Sequence, residues 1–171
     1  NIIRKVYKNV FQAYSEYSDF KSSIFRFVSW IGPKYSHGVI YDFYNKLIEN
    51  PYELEILGDG EQKKSFLDVS DGVRGILELT QHEKNSEIFN LGHTEIMNIT
   101  QLAKIVCAYL ELKNTKYIYT GTKRGWIGDS PLVHLDISKA KSYGWAPKVS
   151  IKNGIINTLD YLTANKENSF R

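Results

Sequence analysis

Residues 58–71 read Gly58-Asp59-Gly60-Glu61-Gln62-Lys63-Lys64-Ser65-Phe66-Leu67-Asp68-Val69-Ser70-Asp71. Two closely spaced glycines set a tight turn, since glycine adopts positive φ without strain. Two cations follow at once, then an apolar/polar alternation, then residues that can start a helix. Turn, strand and helix in such quick succession leave the chain little local freedom. They also hold positive charge on a strand at the mouth of a cleft, which suits an anionic ligand.

The rest of the chain alternates in the same way. Ile3, Val6, Val10, Ala13, Tyr14 and Tyr17 are spaced by three and four, the pattern of an amphipathic helix. Ser23–Val28 is a short apolar strand, and Ile31-Gly32-Pro33 breaks it. A helix is predicted over 39–49, closed by Pro51. Strands are predicted at 53–57, 65–69, 87–91, 116–120 and 133–135. Ser70 or Asp71 is expected to cap a helix burying Val73, Ile76 and Leu77, and Asn98 or Thr100 the next, with Leu102, Ala103, Val106 and Leu110 inward. A short helix at 138–143 precedes a last one from about Ser150, with Ile151, Ile155, Leu159 and Leu162 inward. The class is therefore α/β. Residues 1–164 read as one region and 165–171 as a polar tail.

Composition narrows the function. Apolar residues make up 42% and aromatics 13% of 171, enough for a core. A formal charge of +3, with Lys and Glu interspersed, argues against nucleic acid as a partner. No apolar run reaches the length of a membrane span, and no signal peptide is expected. Cys107 is the single cysteine and falls in an apolar helical pattern, so a buried thiol and a cytoplasmic location are expected. His37, His82, His93 and His134 show no metal-ligand spacing, so no metal is expected. The first residue is Asn1, which fits a fragment.

Six pieces, in order, resemble the C-terminal part of the extended short-chain dehydrogenases/reductases, the NAD-dependent nucleotide-sugar epimerase/dehydratase family. They are Phe25-Arg26-Phe27…Gly32-Pro33, Leu57-Gly58-Asp59-Gly60-x-Gln62-x-Lys64-Ser65-Phe66-x-x-Val69-x-Asp71, Phe89-Asn90-Leu91-Gly92, Arg124-Gly125-Trp126-Ile127-Gly128-Asp129, Asp136-Ile137-Ser138-Lys139-Ala140 and Gly144-Trp145-x-Pro147. The resemblance implies the C-terminal portion of an extended Rossmann-type fold: a remnant of the parallel sheet plus a small substrate-binding lobe. It implies a nucleotide-sugar ligand, a UDP-sugar foremost, held between this lobe and an N-terminal Rossmann half that this chain lacks. NAD belongs to the intact family protein, in which a homodimer is also expected.

The resemblance carries particular roles. Lys64 stands where the family has an arginine on the diphosphate; it offers a point charge but no bidentate fork. Arg124 is a second diphosphate cation, and Asp129 takes a ribose hydroxyl or orients that arginine. The Trp126 insertion lengthens their loop. Glu55 and Leu57 lie on the segment set against the base, with backbone groups for pairing and Leu57 as an apolar face. Ser29 replaces an asparagine and can donate one hydrogen bond. Trp30 either narrows the sugar pocket or packs in the core, Phe66 packs beneath the site, and His37 and Gly38 are weaker ligand candidates.

The catalytic groups of such enzymes are missing. Aligning Ala13-Tyr14 puts the family lysine near Arg4 and its tyrosine before Asn1. Tyr17-Ser18-Asp19-Phe20-Lys21 spells Tyr-x-x-x-Lys but falls at a helix end, out of context. No glycine-rich turn follows a first strand, so NAD is not expected to bind this chain alone. No catalytic residue is assigned. Three readings stand: a truncated or split epimerase or dehydratase, a non-catalytic sugar-nucleotide-binding module or pseudoenzyme, and a docking partner of a separately encoded Rossmann half. An exposed sheet edge is expected where that half belongs.

Overall fold

A computed structural model describes residues 9–11, 13, 14, 16–18, 21–81, 87–121, 130 and 132–165. Helical backbone at 9–11, 13–14 and 16–17 leads into the first strand. The elements then follow as β1 (Ser23–Phe27), β2 (Ser29–Ile31), α1 (Val39–Glu49), β3 (Glu53–Ile56), β4 (Lys63–Lys64), β5 (Phe66–Asp68) and α2 (Val69–Leu79). After these come β6 (Glu87–Leu91), β7 (Met97–Asn98), α3 (Ile99–Tyr109), β8 (Lys116–Tyr119), β9 (Leu132–Val133), α4 (Ser138–Ser142) and α5 (Ile151–Ala164).

Parallel pairing dominates. β1 pairs β6, β2 pairs β5 and β3 pairs β8, all parallel, and β4 sits between antiparallel β7 and parallel β9. Parallel neighbours need crossover connections, and here helices supply them, as an α/β fold requires.

Two clusters hold the elements together. The first gathers Ile40, Phe43 and Leu47 of α1, Leu102 and Val106 of α3, and Ile151, Ile155, Leu159 and Leu162 of α5 over Leu54 and Ile56 of β3. The spacing of the α5 residues puts all four on one face, and Ser150 caps that helix by accepting from Asn153 N–H at 3.2 Å. Each such side chain contributes about 1.5–3 kcal/mol by leaving water. Cys107 is buried in this cluster. The second cluster gathers Phe89 and Leu91 of β6, Leu67 of β5, Val28, Ile137, Ala140 and Trp145.

Helix α2 departs from expectation twice. Its cap is Asp68, whose carboxylate accepts from Ser70 N–H at 2.9 Å, rather than Ser70 or Asp71. Its buried face carries Asp71, Gly72, Gly75 and Leu79, while Val73 and Leu77 are 46% and 61% exposed. Aromatic rings cause this. A Cβ on Gly72 would lie 2.6 Å from the Trp30 ring, and one on Gly75 2.7 Å from Trp145 Nε1. The backbone of α2 therefore rests directly on two indoles, with Ile76 packed against the second cluster as expected, Leu79 buried, and Val73 and Leu77 turned outward. Tyr17, expected on a packed apolar face, is 92% exposed. β6 matches the sequence reading, the ends of the other predicted strands differ by at most two residues, and that reading has no strand at β2, β4 or β7.

Candidate functional site

The Gly58–Lys64 turn is clamped from both sides. Gly58 and Gly60 adopt φ of 88° and 76°. A Cβ on Gly60 would collide with Thr100 Oγ1 and the Tyr119 ring, so only glycine fits there. Thr100 N–H donates to Gly60 O at 3.1 Å, and Gly121 N–H to Gly58 O at 3.1 Å. Thr120 Oγ1 accepts from Gly58 N–H at 2.7 Å. Asp59 accepts from Glu61 N–H at 2.9 Å, as a turn residue does.

Beyond the turn, β4 holds Lys63 opposite Asn98 and Leu132, and Lys64 opposite Met97 and Val133. Lys64 is half-buried on a central strand. Ser65 then drops into the interior, with its N–H on Val133 O at 2.8 Å and its hydroxyl on His93 O at 3.0 Å. Phe66 is 2% exposed and belongs to the first cluster, beneath the turn.

Arg124, Trp126 and Asp129 lie outside the described residues, but both ends of their loop are fixed. Gly121 bonds to Gly58 O on one side, and Leu132–Val133 pairs with Lys63–Lys64 on the other. The described residues on either side of that stretch thus both contact the Gly58–Lys64 segment.

Ser29 is exposed at the start of β2, opposite Phe66, two residues beyond Lys64. Trp30 answers the question its bulk raised. It packs edge-on to Phe27 at 4.7 Å and against Gly72, within the second cluster, so it is a core residue. His37 is exposed and stacks on Tyr35 at 5.9 Å. Burial pushes the Tyr35 phenol up to about 12.

The 53–57 segment, which the resemblance sets against the base, has a defined edge. Lys116 N–H donates to Tyr52 O and Thr120 N–H to Ile56 O. In a parallel pair, alternate residues of a strand bond the neighbour, so Tyr52, Leu54 and Ile56 face β8. The backbones of Glu53, Glu55 and Leu57 therefore face the opposite side. The Glu55 carboxylate is drawn to Lys46 Nζ at 3.5 Å, and Leu57 is 44% exposed. Sequence reasoning missed Gln62 as part of this edge. It is 3% exposed and donates from Nε2 to Leu57 O at 3.2 Å, while its Oε1 finds no partner among the described residues. An uncharged polar residue between glycine turn and lysines gives no sign that it will point inward.

The motif's last residue does a different job. Asp71 is 2% exposed, and its carboxylate accepts from Arg74 at 2.6 Å and from Lys148 and Val149 N–H at 2.8 Å each. Trp145 Nε1 donates to Asp71 O at 3.2 Å. Asp71 thereby ties α2 to the Gly144-Trp145-x-Pro147 turn. A similar tie links Asn90 to Asp136 O at 2.8 Å. The Asp136 carboxylate accepts from the Ser138 hydroxyl at 2.6 Å and its N–H at 2.8 Å, which hold it below the usual carboxylate range. Separate sequence motifs are thus joined by buried or short polar contacts.

Among the described residues no cluster of His, Cys, Asp or Glu is arranged to hold a metal, and no helix is long and apolar enough to cross a membrane. An open depression of about 580 Å³ lies on the outer face of α2, lined by Val69, Val73, Arg74 and Leu77. It shares no residue with the Lys64 region.

Known proteins resemble the chain along most of its length. The pattern of the NAD dependent epimerase/dehydratase family matches residues 5–92. A putative UDP-glucose 4-epimerase of Methanocaldococcus jannaschii is 31% identical over 133 residues, 78% of this chain and 41% of that one. The human dTDP-D-glucose 4,6-dehydratase is 29% identical over 165 residues, 92% of this chain and 46% of that one. The crystal structure of a Thermotoga maritima UDP-glucose 4-epimerase with UDP-glucose superposes with a TM-score of 0.82 at 25% identity, covering 96% of this chain and 53% of that one. The chain spans about half the length of the relatives it matches. The α/β, Rossmann-type architecture expected from the sequence is borne out. With the family pattern covering more than half of its residues, the chain belongs to the NAD-dependent epimerase/dehydratase family.

Proposed function

We propose that residues 1–164 form the nucleotide-sugar-binding region of an NAD-dependent sugar epimerase or dehydratase, with a UDP-sugar as ligand. One observation carries this reading: Gly121 and Leu132–Val133, which flank the stretch holding Arg124 and Asp129 in sequence, both contact the segment that holds Lys64. A second cation in the stretch whose flanks contact the segment of the first suits a diphosphate. In this reading Lys64 and Arg124 bind the diphosphate, and Asp129 holds a ribose hydroxyl or orients Arg124. The outward backbone of Glu55 and Leu57 meets the base, and Ser29 donates to the sugar side. The comparison with the T. maritima epimerase, solved with UDP-glucose, supports the ligand class.

NAD is the hydride carrier of this family, but the residues present do not fit it. Helices α2, α3 and α5 begin under their own caps, with Asp68, Asn98 and Ser150 already on their first N–H groups. The chain also has no glycine-rich strand-to-helix turn to cradle a pyrophosphate. The site here binds and orients substrate, and hydride chemistry belongs to groups beyond this chain.

Titration with UDP-glucose, followed by NMR or calorimetry, tests the reading. Binding at millimolar or tighter affinity is expected. Lys64→Ala and Arg124→Ala should each weaken it about 10-fold, in line with ~1.5 kcal/mol for a charge-assisted hydrogen bond. Undiminished binding by the double variant would remove the diphosphate assignment.

A further inference from the structure

Gln62 is buried in the Gly58–Lys64 segment with its amide only half used. It is 3% exposed, although glutamine is mostly a surface residue. Its Nε2 reaches back across the two-glycine turn and donates to Leu57 O at 3.2 Å. Its Oε1 is shut off from solvent and finds no donor among the described residues. The Nε2 bond settles which end of the amide is which, since a reversed amide would set Oε1 against another carbonyl oxygen. Oε1 is therefore an acceptor in want of a donor, and leaving one buried and unpaired costs free energy.

The groups around it are committed elsewhere. Glu61 N–H goes to Asp59 at 2.9 Å, and the Glu61 carboxylate accepts from Asn98 Nδ2 at 3.1 Å. Gly58 N–H goes to Thr120 Oγ1 at 2.7 Å, and the Ser65 hydroxyl to His93 O at 3.0 Å. Both polar groups of the Leu57–Gly58 peptide are thus bound within the fold. Leu57 N–H still faces outward, because Tyr52, Leu54 and Ile56 are the residues that face β8. A donor, Leu57 N–H, and an acceptor, Gln62 Oε1, stand at the same corner, linked through the Leu57 carbonyl and Nε2.

We propose that Gln62 selects the base of the bound nucleotide: Oε1 accepts the ring N–H of an imide, as uracil and thymine carry, while Leu57 N–H donates to a carbonyl beside it. Cytosine presents a bare ring nitrogen at the corresponding position, an acceptor against an acceptor, so a cytidine nucleotide is rejected. Discrimination of this kind is strong because the wrong ligand leaves buried polar groups unpaired. The base reaches Oε1 by a small side-chain shift at the corner, of the kind that binding surfaces commonly make. This assignment rests on the base lying at Glu55 and Leu57, as the proposed function has it.

Titration of the 171-residue chain with UDP-glucose, dTDP-glucose and CDP-glucose, by calorimetry or NMR, tests it. The two imide ligands should bind at least about 10-fold tighter than CDP-glucose. Which of the two binds the tighter tells uracil from thymine. Gln62→Met, similar in length and without an amide acceptor, should weaken both imide ligands about 10-fold and leave CDP-glucose within about 2-fold. A residue that only supported the fold would weaken all three alike. Gln62→Glu covers the case of a methionine variant that fails to fold. When neutral, its O–H donates to Leu57 O and its carbonyl oxygen accepts from the base; when ionised, it cannot hold Leu57. Its UDP-glucose binding should approach the wild type's near pH ~5 and fall about 10-fold by pH ~8, a change absent from the wild type. Equal binding of UDP-glucose and CDP-glucose by the wild type overturns the assignment, as does a Gln62→Met chain with the wild-type preference or with equal losses for all three ligands. In those cases, UDP-glucose binding that Lys64→Ala weakens leaves the diphosphate reading standing. Binding of none of the three would sink both.

Discussion

Around the first cluster, α1, α3 and α5 pack on one another and on β3, closing over Leu54, Ile56, Leu102 and Leu159, each 0% exposed. The second cluster lies between β6, α2, α4 and Trp145, and on its β1 side no described strand pairs with the outer edge and Phe27 is 42% exposed. One region closes with aliphatic side chains at helical spacing. The other closes with aromatic rings, glycines and buried polar ties, and it stays open where its sheet would continue. The difference teaches how each cluster is closed: the first by its own helices, the second by described elements on every side but that of β1.

The strongest way to break the comparison is Asp71→Ala. This carboxylate, 2% exposed, joins Arg74 to two backbone N–H groups of the 148–149 turn. Its removal leaves the Lys148 and Val149 N–H groups without their acceptor, at about 1–3 kcal/mol each, while Arg74 keeps Glu78. Urea unfolding should show that loss, and Asp71→Asn, which keeps an acceptor, should recover part of it. An effect below about 1 kcal/mol would mean that the second region does not depend on its polar joint.

Leu159→Ala tests the other region. Leu159 is 0% exposed between α5 and its neighbours, and its truncation should cost about 2–5 kcal/mol through a cavity. If the two clusters unfold as one unit, the same loss should appear in the exchange of the Arg26 amide. If β1 and β6 open separately, Arg26 should be insensitive to it.

Alkali acts on the first region. Tyr35 packs against that cluster, and burial pushes its phenol up to about 12 from 10.0. Burial, with a hydrogen bond to Cys107, also raises Tyr117 in the same cluster. A raised acid keeps its proton in the fold after the unfolded chain has lost it. Stability is therefore whole below pH ~10 and falls as pH rises from there through about 12. Thermal melts at stepped pH should show the fall, and Tyr35→Phe should make it shallower.

Much of the first region was legible because period and caps were written locally. Helix α1 runs over Val39–Glu49, as predicted. Asn98 caps α3, and Ile151, Ile155, Leu159 and Leu162 face inward as their spacing required. The second region was read less well, and α2 shows why. A periodicity argument scores Val73 and Leu77 as core and glycine as neutral. Only the fold reveals that Trp30 and Trp145, far apart in sequence, occupy the space a side chain would need at Gly72 and Gly75. At the candidate site, Lys64 and its turn were legible from the glycines. The clamp by Thr100 and Thr120 and the inward Gln62 were not, since each depends on a partner set by tertiary pairing.

The smallest expected effect probes the open edge. Phe27 is 42% exposed, stacked on Phe25 at 6.3 Å and edge-on to Trp30 at 4.7 Å. In a closed core its removal would cost about 3–5 kcal/mol. Here much of the ring already faces water, so Phe27→Ser gives up only part of that. The residue lost is one that a β strand tolerates well when packed, and serine competes for backbone bonds. A destabilisation of roughly 1 kcal/mol or less is expected in urea, together with slower aggregation, since a bare aromatic beside unpaired strand groups favours edge-to-edge association. A loss as large as that of Leu159→Ala would mean that Phe27 is enclosed in solution, and the contrast between a closed lobe and an open sheet would fail at the residue that defines it.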